Sequence, residues 1–426
     1  MDYPRFGLIR QRFPESPKPD PRGWLWAEFE RTGLLKAVKK GHRVLLTAGS
    51  RGIDSMKDVL AACVEAVRSA GGEPFIYPAM GSHGGAKAVM QVKVLTYLGI
   101  TEQSMGAPIY ADWDIVEVGR AERGVPVYAD RAAVDADHIF IVNRVKEHTE
   151  YMGGTESGLL KMAVVGLGRQ PGAENMHRLA VNLTFYKAIH AIAKVLFREL
   201  NILGGIALLE DHRNQLRRVE VVPARDVFDR EPELLKESQQ YRAKLPFDQL
   251  DILLVDRIGK DISGSGFDTK VIGRIMNIYE KECETPMITR IVFRDLTEGS
   301  EGNATGLGLA DYTTRRVVDK IDVEATRINC MTGGSPEKGR IPITLPTDRA
   351  AIDAAFATIG LWTPEKVKVA WIPNTKDLEW LAVSSALLES SRNRSDLEVM
   401  DEQFNLPFDA EDTLPYLVTL LPRLNR

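Results

Sequence analysis

Short apolar runs alternate with amphipathic stretches through the first half of the chain. HRVLLTAG (42–49), EPFIYPA (73–79), ADHIFIVNRV (136–145) and ILGGIALLED (202–211) are bounded by turn residues, the pattern of buried strands. Between them, residues 24–40, 56–71 and 184–200 carry apolar positions at helical spacing. Leu34, Leu35 and Val38 mark the first of these helices, and the Gly71-Gly72 pair ends the second. GSHGGAKAVMQVKVLTYLG is a glycine-rich turn that feeds a further helix. Such alternation predicts an α/β fold with a largely parallel sheet. The charged stretch FDREPELLKESQQYRAKLP (228–246) predicts a surface helix leading to a boundary, and LDILLVDRIG (250–259) opens a second series of strands and helices. The expected organisation is two α/β domains, 1–240 and 246–400, with a cofactor and substrate cleft between them and a tail, 401–426, packing back on the body.

Composition narrows the partners. A chain of 426 residues exceeds what one core usually supports. The net charge of −4, from 55 basic and 59 acidic residues, argues weakly against nucleic acid as a partner, because phosphate binding needs a basic face. No apolar run reaches the roughly 18 to 20 residues of a membrane span. The opening MDYPRFGLIR lacks the pattern of a signal peptide. Cys63, Cys283 and Cys330 are too widely spaced for a zinc knuckle and suit a reducing cytoplasm. The histidines are unevenly placed: His42, His83, His138, His148, His177, His190 and His212 all precede residue 213. Any imidazole chemistry therefore belongs to the first half.

Three segments there could carry it. In LLTAGSRGIDSMKDVL a strand end and a helix start flank Gly49-Ser50-Arg51-Gly52, a plausible anion site and equally an ordinary turn with a surface arginine. In GSHGGA (81–86), glycines flank His83 at a second such turn, where the plainer reading is a buried histidine bonded to a loop carbonyl. The richest segment is 143–178. His148 follows a strand end, and Ser157-Gly158 precede Lys161 in the apolar run LLKMAVV. Burial there would lower the lysine pKa and make it a nucleophile, whereas a half-buried helix would let it snorkel to solvent. His177 follows Gly166, Gly168 and Gly172 in a stretch that reads as loop. GLGRQPGA lacks the preceding strand of a dinucleotide fingerprint, and the histidine spacings match no zinc-protease motif.

With those residues in view, the chain resembles the lactate racemase family, whose members use a nickel-pincer nucleotide. Gly81-Ser82-His83 resembles the family's Gly-Thr-His turn, and His148 with Ser157-Gly158-Leu159-Leu160-Lys161 resembles its histidine and lysine segment. His177 lies 16 residues after Lys161, the family's distance from anchoring lysine to nickel-ligating histidine. The resemblance implies that Lys161 carries the cofactor through a thioamide and that His177 is the fourth, imidazole ligand of a square-planar nickel. It implies that Ser50 and Arg51 hold the cofactor phosphate, and that His83 and His148 are the general acid and base on an α-hydroxy acid. The second domain would hold the substrate, with Lys270, then Lys260, as carboxylate partners and Trp380 lining the pocket or simply packed. The expected activity is a racemase or epimerase inverting C2 of a hydroxy acid by hydride transfer. Ala48 replaces an acidic residue of the family's anion turn, and 13 residues separate His148 from Lys161 where the family has about 10. Both departures point to a substrate other than lactate, such as a sugar acid.

Two other classes fit the same residues less completely. A NAD-type dehydrogenase or zinc hydrolase on a two-domain α/β scaffold would use the histidines and leave Lys161 without a role. A non-catalytic small-molecule-binding homologue would keep the fold alone.

Overall fold

The computed structural model describes residues 1–49, 52–81, 87–110 and 112–421. The chain is an α/β protein of two compact units. One comprises Glu15–Arg242; the other combines Met1–Pro14 with the chain from Ala243 onward.

In the first unit a five-stranded sheet runs in the order Glu73–Pro78, Arg43–Ala48, His138–Arg144, Ile202–Glu210, Leu216–Pro223. All neighbours are parallel except the last pair. Successive residues of a strand face opposite sides. Val44 and Leu46 therefore pack with Ile76, Phe140 and Val142 on one face, while Leu45 packs with Phe75, Ile139 and Ile141 on the other. Helix Met56–Ser69 covers the first face through Met56, Val59, Leu60, Cys63 and Val67, at the three- and four-residue spacing of one helical stripe. Helix Phe185–Glu199 covers the second with Phe185, Ala188, Ile189, Ile192 and Leu196.

The helix expected over 24–40 is broken. Helix Pro21–Thr32 stops at Gly33, whose φ of 65° lets the chain turn left-handed while its N–H returns to the Phe29 carbonyl. A short 3-10 turn, Leu34–Ala37, follows.

The second unit carries an eight-stranded sheet ordered Ile343–Leu345, Tyr312–Thr314, Met287–Leu296, Gln249–Ile258, Val369–Ile372, Trp380–Ser384, Phe6–Gln11, Leu397–Phe404. The first five are parallel and the last three antiparallel. Residues 1–14 thus belong with the C-terminal part of the chain, not with the N-terminal domain expected for 1–240. The physical reason is burial on both faces. Phe6 and Leu8 enter one apolar cluster and Ile9 the other, and their strand pairs with two strands that are far from it along the chain. Leu406, Leu414 and Leu417 of the tail are buried in the same unit.

Candidate active site

In the five-stranded sheet, Arg43–Ala48 connects to Glu73–Pro78 on one side, while His138–Arg144 lies on its other side. The strand order therefore reverses between Arg43–Ala48 and His138–Arg144, and open α/β sheets bind ligands at the carboxyl ends of strands beside such a reversal. The loops leaving those two ends are residues 49–55 and 145–157. Ser50, Arg51 and His83 lie outside the described residues. The bases of their turns are described.

The second loop is closed by a two-way bridge: Lys146 N–H donates to Ser157 O at 2.8 Å, and Ser157 N–H to Lys146 O at 3.0 Å. Inside it, Glu156 is the organiser. Its Oε2 accepts the His148 N–H at 2.6 Å, its Oε1 the Gly153 N–H at 3.3 Å, and its carbonyl the Tyr151 hydroxyl at 2.8 Å. This buried carboxylate stands in for backbone partners that a loop otherwise lacks. His148 Nδ1 accepts the Glu150 N–H at 3.1 Å.

Aromatic rings then connect the predicted residues. His148 stacks on the fully buried Tyr151, with centroids 4.4 Å apart and an angle of 22°. Tyr151 stacks on Phe185 at 4.9 Å and 15°, and Phe185 meets His177 edge-on at 5.2 Å. The Lys161 Nζ stands 5.9 Å from the Tyr151 ring centre. Burial, reinforced by the charge of Lys161, pushes the His177 imidazole down to about 4. His148, Lys161 and His177 are therefore gathered around one pair of rings.

His177 is not on a loop, as the glycines before it led us to expect. It sits in helix Arg169–Leu183, which continues a helical run beginning at Leu159–Lys161. Between the two, Met162–Leu167 forms a π-helix, a widened turn often found at functional sites. The glycines serve close packing. A Cβ on Gly168 would lie 2.6 Å from the Val164 carbonyl and 3.0 Å from that of Tyr128, and one on Gly166 would lie 2.8 Å from Ala79 Cβ.

The π-helical turn also touches the bases of the undescribed turns. A Cβ on Gly49 would lie 3.2 Å from Met162 Cε, and one on Gly81 would lie 2.7 Å from Val165 Cγ1. Gly81 has a φ of 57°, where glycine is favoured. Its carbonyl accepts Gln91 Nε2 at 3.0 Å, and Gln91 Oε1 accepts Arg169 Nη1 at 2.9 Å. Arg169 is buried, bonds Asp130, and lies between Tyr77 and Trp113, 4.5 and 4.7 Å from their ring centres. Its φ of 49° is unusual for a residue with a side chain, a local strain held by this network. The bases of both turns that carry predicted residues thus lie against the helical run bearing Lys161 and His177.

In the other unit the strand order reverses between Gln249–Ile258 and Val369–Ile372. The loops at those strand ends meet where Asp268 N–H donates to Thr375 Oγ1 at 2.7 Å. Lys270, buried, follows Asp268 in the short helix Thr269–Ile272, and Lys260 Nζ donates to Asn329 Oδ1 at 2.7 Å and to the Gly264 carbonyl. Trp380 is a core residue of its sheet, with the Arg10 guanidinium 5.6 Å from its ring. The structure gives it a packing role.

Sequence reasoning missed Tyr151, Phe185, Glu156, Gln91 and Arg169. Among the described residues no group of three or more His, Cys, Asp or Glu side chains could hold a metal ion, and no helix is long and apolar enough to cross a membrane.

Comparison with known proteins adds three findings. A protein-family profile described as "Domain of unknown function (DUF362)" matches residues 48–226, the stretch that holds the whole arrangement around Lys161. The structure of the lactate racemase apoprotein from Thermoanaerobacterium thermosaccharolyticum is similar at 12% identity and a TM-score of 0.49, covering 87% of this chain and 89% of that one. No curated protein matches the sequence.

Proposed function

We propose that this protein is an isomerase that inverts C2 of an α-hydroxy acid, with Lys161 as the anchor of a nickel-pincer nucleotide and His177 as its nickel ligand. The observation that carries the reading is the gathering of His148, Lys161 and His177 around Tyr151 and Phe185. The spacing of 16 residues between Lys161 and His177 accompanies it.

The residues present fit such a group. A ligating imidazole must be neutral, and burial keeps His177 so. One imidazole beside one lysine suits a metal whose other ligands come from an organic group fixed on that lysine. Ser50 and Arg51, which follow strand Arg43–Ala48 in the sequence, would take its phosphate. When bound, the group supplies a metal-supported electrophilic carbon able to accept and return a hydride.

The chain's own residues do the rest. His83 and His148 form the acid–base pair for the hydroxyl proton. His148 Nδ1 accepts the Glu150 N–H, so Nε2 is the ring nitrogen that would exchange the hydroxyl proton. The Tyr151 ring, stacked on Phe185, faces the Lys161 amine from 5.9 Å. By the family resemblance, Lys270 and Lys260 are the candidates for the substrate carboxylate. The longer loop after His148 favours a substrate bulkier than lactate, such as an aldonic acid.

The test is production in a host that makes the cofactor, followed by intact mass, nickel content and chiral chromatography of a hydroxy-acid panel. An adduct on Lys161 that is absent from Lys161→Ala, nickel close to one per chain, and C2 inversion of a panel member are expected. Unmodified, nickel-free protein from that host overturns the reading. A NAD-type dehydrogenase would instead produce a keto acid with stoichiometric reduction of the nucleotide.

A further inference from the structure

Glu231, on helix Val227–Tyr241, is fully buried and takes no part in the chemistry above. Its Oε2 accepts the Leu160 N–H at 2.8 Å, with the Leu159 N–H alongside. Its Oε1 has no hydrogen-bond partner and stands 2.3 Å from where a Cβ on Gly158 would be. Gly158 is extended, with a φ of −171°, so the space and not the conformation demands glycine.

Leu159 and Leu160 open the helical run that carries Lys161 and, beyond the π-helical turn, His177. The first N–H groups of a helix have no partner within it. A local Ser, Thr or Asp usually supplies the cap, but here no side chain at the start of the helix does so. The cap comes from a residue far along the chain, and it leaves a buried carboxyl oxygen bare, an arrangement that destabilises the fold. Burial pushes this carboxyl up to about 8. A purely structural cap has no need of so costly a group, and perturbed acids of this kind concentrate at functional sites.

We infer that Glu231 is a positioning residue for Lys161, fixing the first turn of its helix and with it the direction in which the lysine amine leaves the backbone. Gly158, immediately before the Leu-Leu-Lys run, is the cradle that admits the carboxyl. The inference rests on Lys161 being the reactive lysine of the proposed site, but its test reads the lysine directly.

The full-length protein is acylated with a limiting amine-selective reagent over about pH 6 to 10, rising toward the ordinary lysine range. Labelling of Lys161 is quantified by peptide mass spectrometry against the exposed Lys93. Glu231→Gln keeps an oxygen for the Leu160 N–H; Glu231→Leu removes it; Gly158→Ala expels the carboxyl from the opposite side. A lost cap is worth about 1 kcal/mol, so the Lys161-to-Lys93 ratio should stay within about twofold in Glu231→Gln and change about five- to tenfold in the other two. The pH midpoint of Lys161 labelling should move with it. Circular dichroism identifies folded variants, and Gly158→Ala carries the test should Glu231→Leu not fold. An unchanged ratio in a folded Glu231→Leu or Gly158→Ala overturns the inference, as does Glu231→Gln behaving like Glu231→Leu. Absence of hydroxy-acid inversion or of an adduct would leave this ratio untouched, so the two ideas can fail separately.

Discussion

The ring nitrogen Nδ1 of His148 accepts the backbone N–H of Glu150 at 3.1 Å. In a neutral ring that accepts this bond, the hydrogen sits on Nε2. The stacked Tyr151 ring fixes the imidazole's place, and the Glu156 carboxylate, which accepts the backbone N–H of His148, fixes the residue that carries it. His148→Gln, whose amide can hydrogen-bond near the Nε2 position but cannot exchange a proton, should lose C2 inversion in cofactor-loaded protein about as fully as the alanine variant. His148→Ala should lose about 10²- to 10⁴-fold. Nitrogen NMR of ring-labelled protein checks the tautomer without turnover, and a proton found on Nδ1 would contradict the assignment.

Arg169 is the buried cation of the site's frame, paired with Asp130 and bonded to Gln91. Arg169→Met leaves the Asp130 carboxylate buried without its counter-charge. The expected loss is about 3 to 5 kcal/mol of unfolding free energy, measured by urea denaturation. Adding Asp130→Asn should recover part of it, because the two changes act on one pair. Purely additive losses would show that the pair is not coupled.

How much of this was legible in the sequence depends on distance along the chain. Strands such as Arg43–Ala48 and His138–Arg144 stand out because both faces are buried and the apolar runs are continuous. The expectation of an α/β fold followed from them. Phe6–Gln11 could not be placed, since its neighbours in the sheet begin at Trp380 and Leu397. In the site, Lys161 was conspicuous as a charge in an apolar run, and the histidines by residue type. Tyr151 and Phe185 looked like ordinary core residues until the fold stacked them. Arg169 gave no signal at all, because neither its φ nor its burial is written in residue type. The glycines before His177 misled, since close packing between helix and strand calls for the same residue as a flexible loop.

Glu231 makes stability depend on pH in a direction opposite to that of an ion-paired carboxylate. Its ordinary value is 4.5 and its folded value about 8, so between these the folded state holds the proton more tightly than the unfolded state. This contribution to stability is fully present below pH 4.5 and is lost as pH rises through about 8, at about 1.4 kcal/mol per pH unit. Glu231→Gln removes the titration. The difference in melting temperature, variant minus wild type, should increase from pH 5 to about 8 and level off above it, with the variant the more stable at the alkaline end. A difference that stays flat across this range would mean that Glu231 is charged in the folded protein at neutral pH.

Gly81 and Val165 offer the most direct check on how the turn bearing His83 is tied to the helix bearing Lys161. A Cβ at Gly81 meets Val165 Cγ1 at 2.7 Å, and the φ of 57° strains any side chain there. Gly81→Ala should therefore destabilise by two separable effects, backbone strain of about 1 kcal/mol or more and a steric clash of about 1 to 3 kcal/mol. Only the second can be relieved from the other side. Val165→Ala removes the Cγ1 methyl at its own cost, and the double variant should be more stable than the sum of the single losses predicts, by about 1 kcal/mol. The same pair should couple in Lys161 labelling, because Val165 lies one helical turn beyond the lysine. Gly81→Ala should alter the labelling rate, and Val165→Ala should return it toward the wild-type value. Additive behaviour in both measurements would show that the turn and the helix are independent.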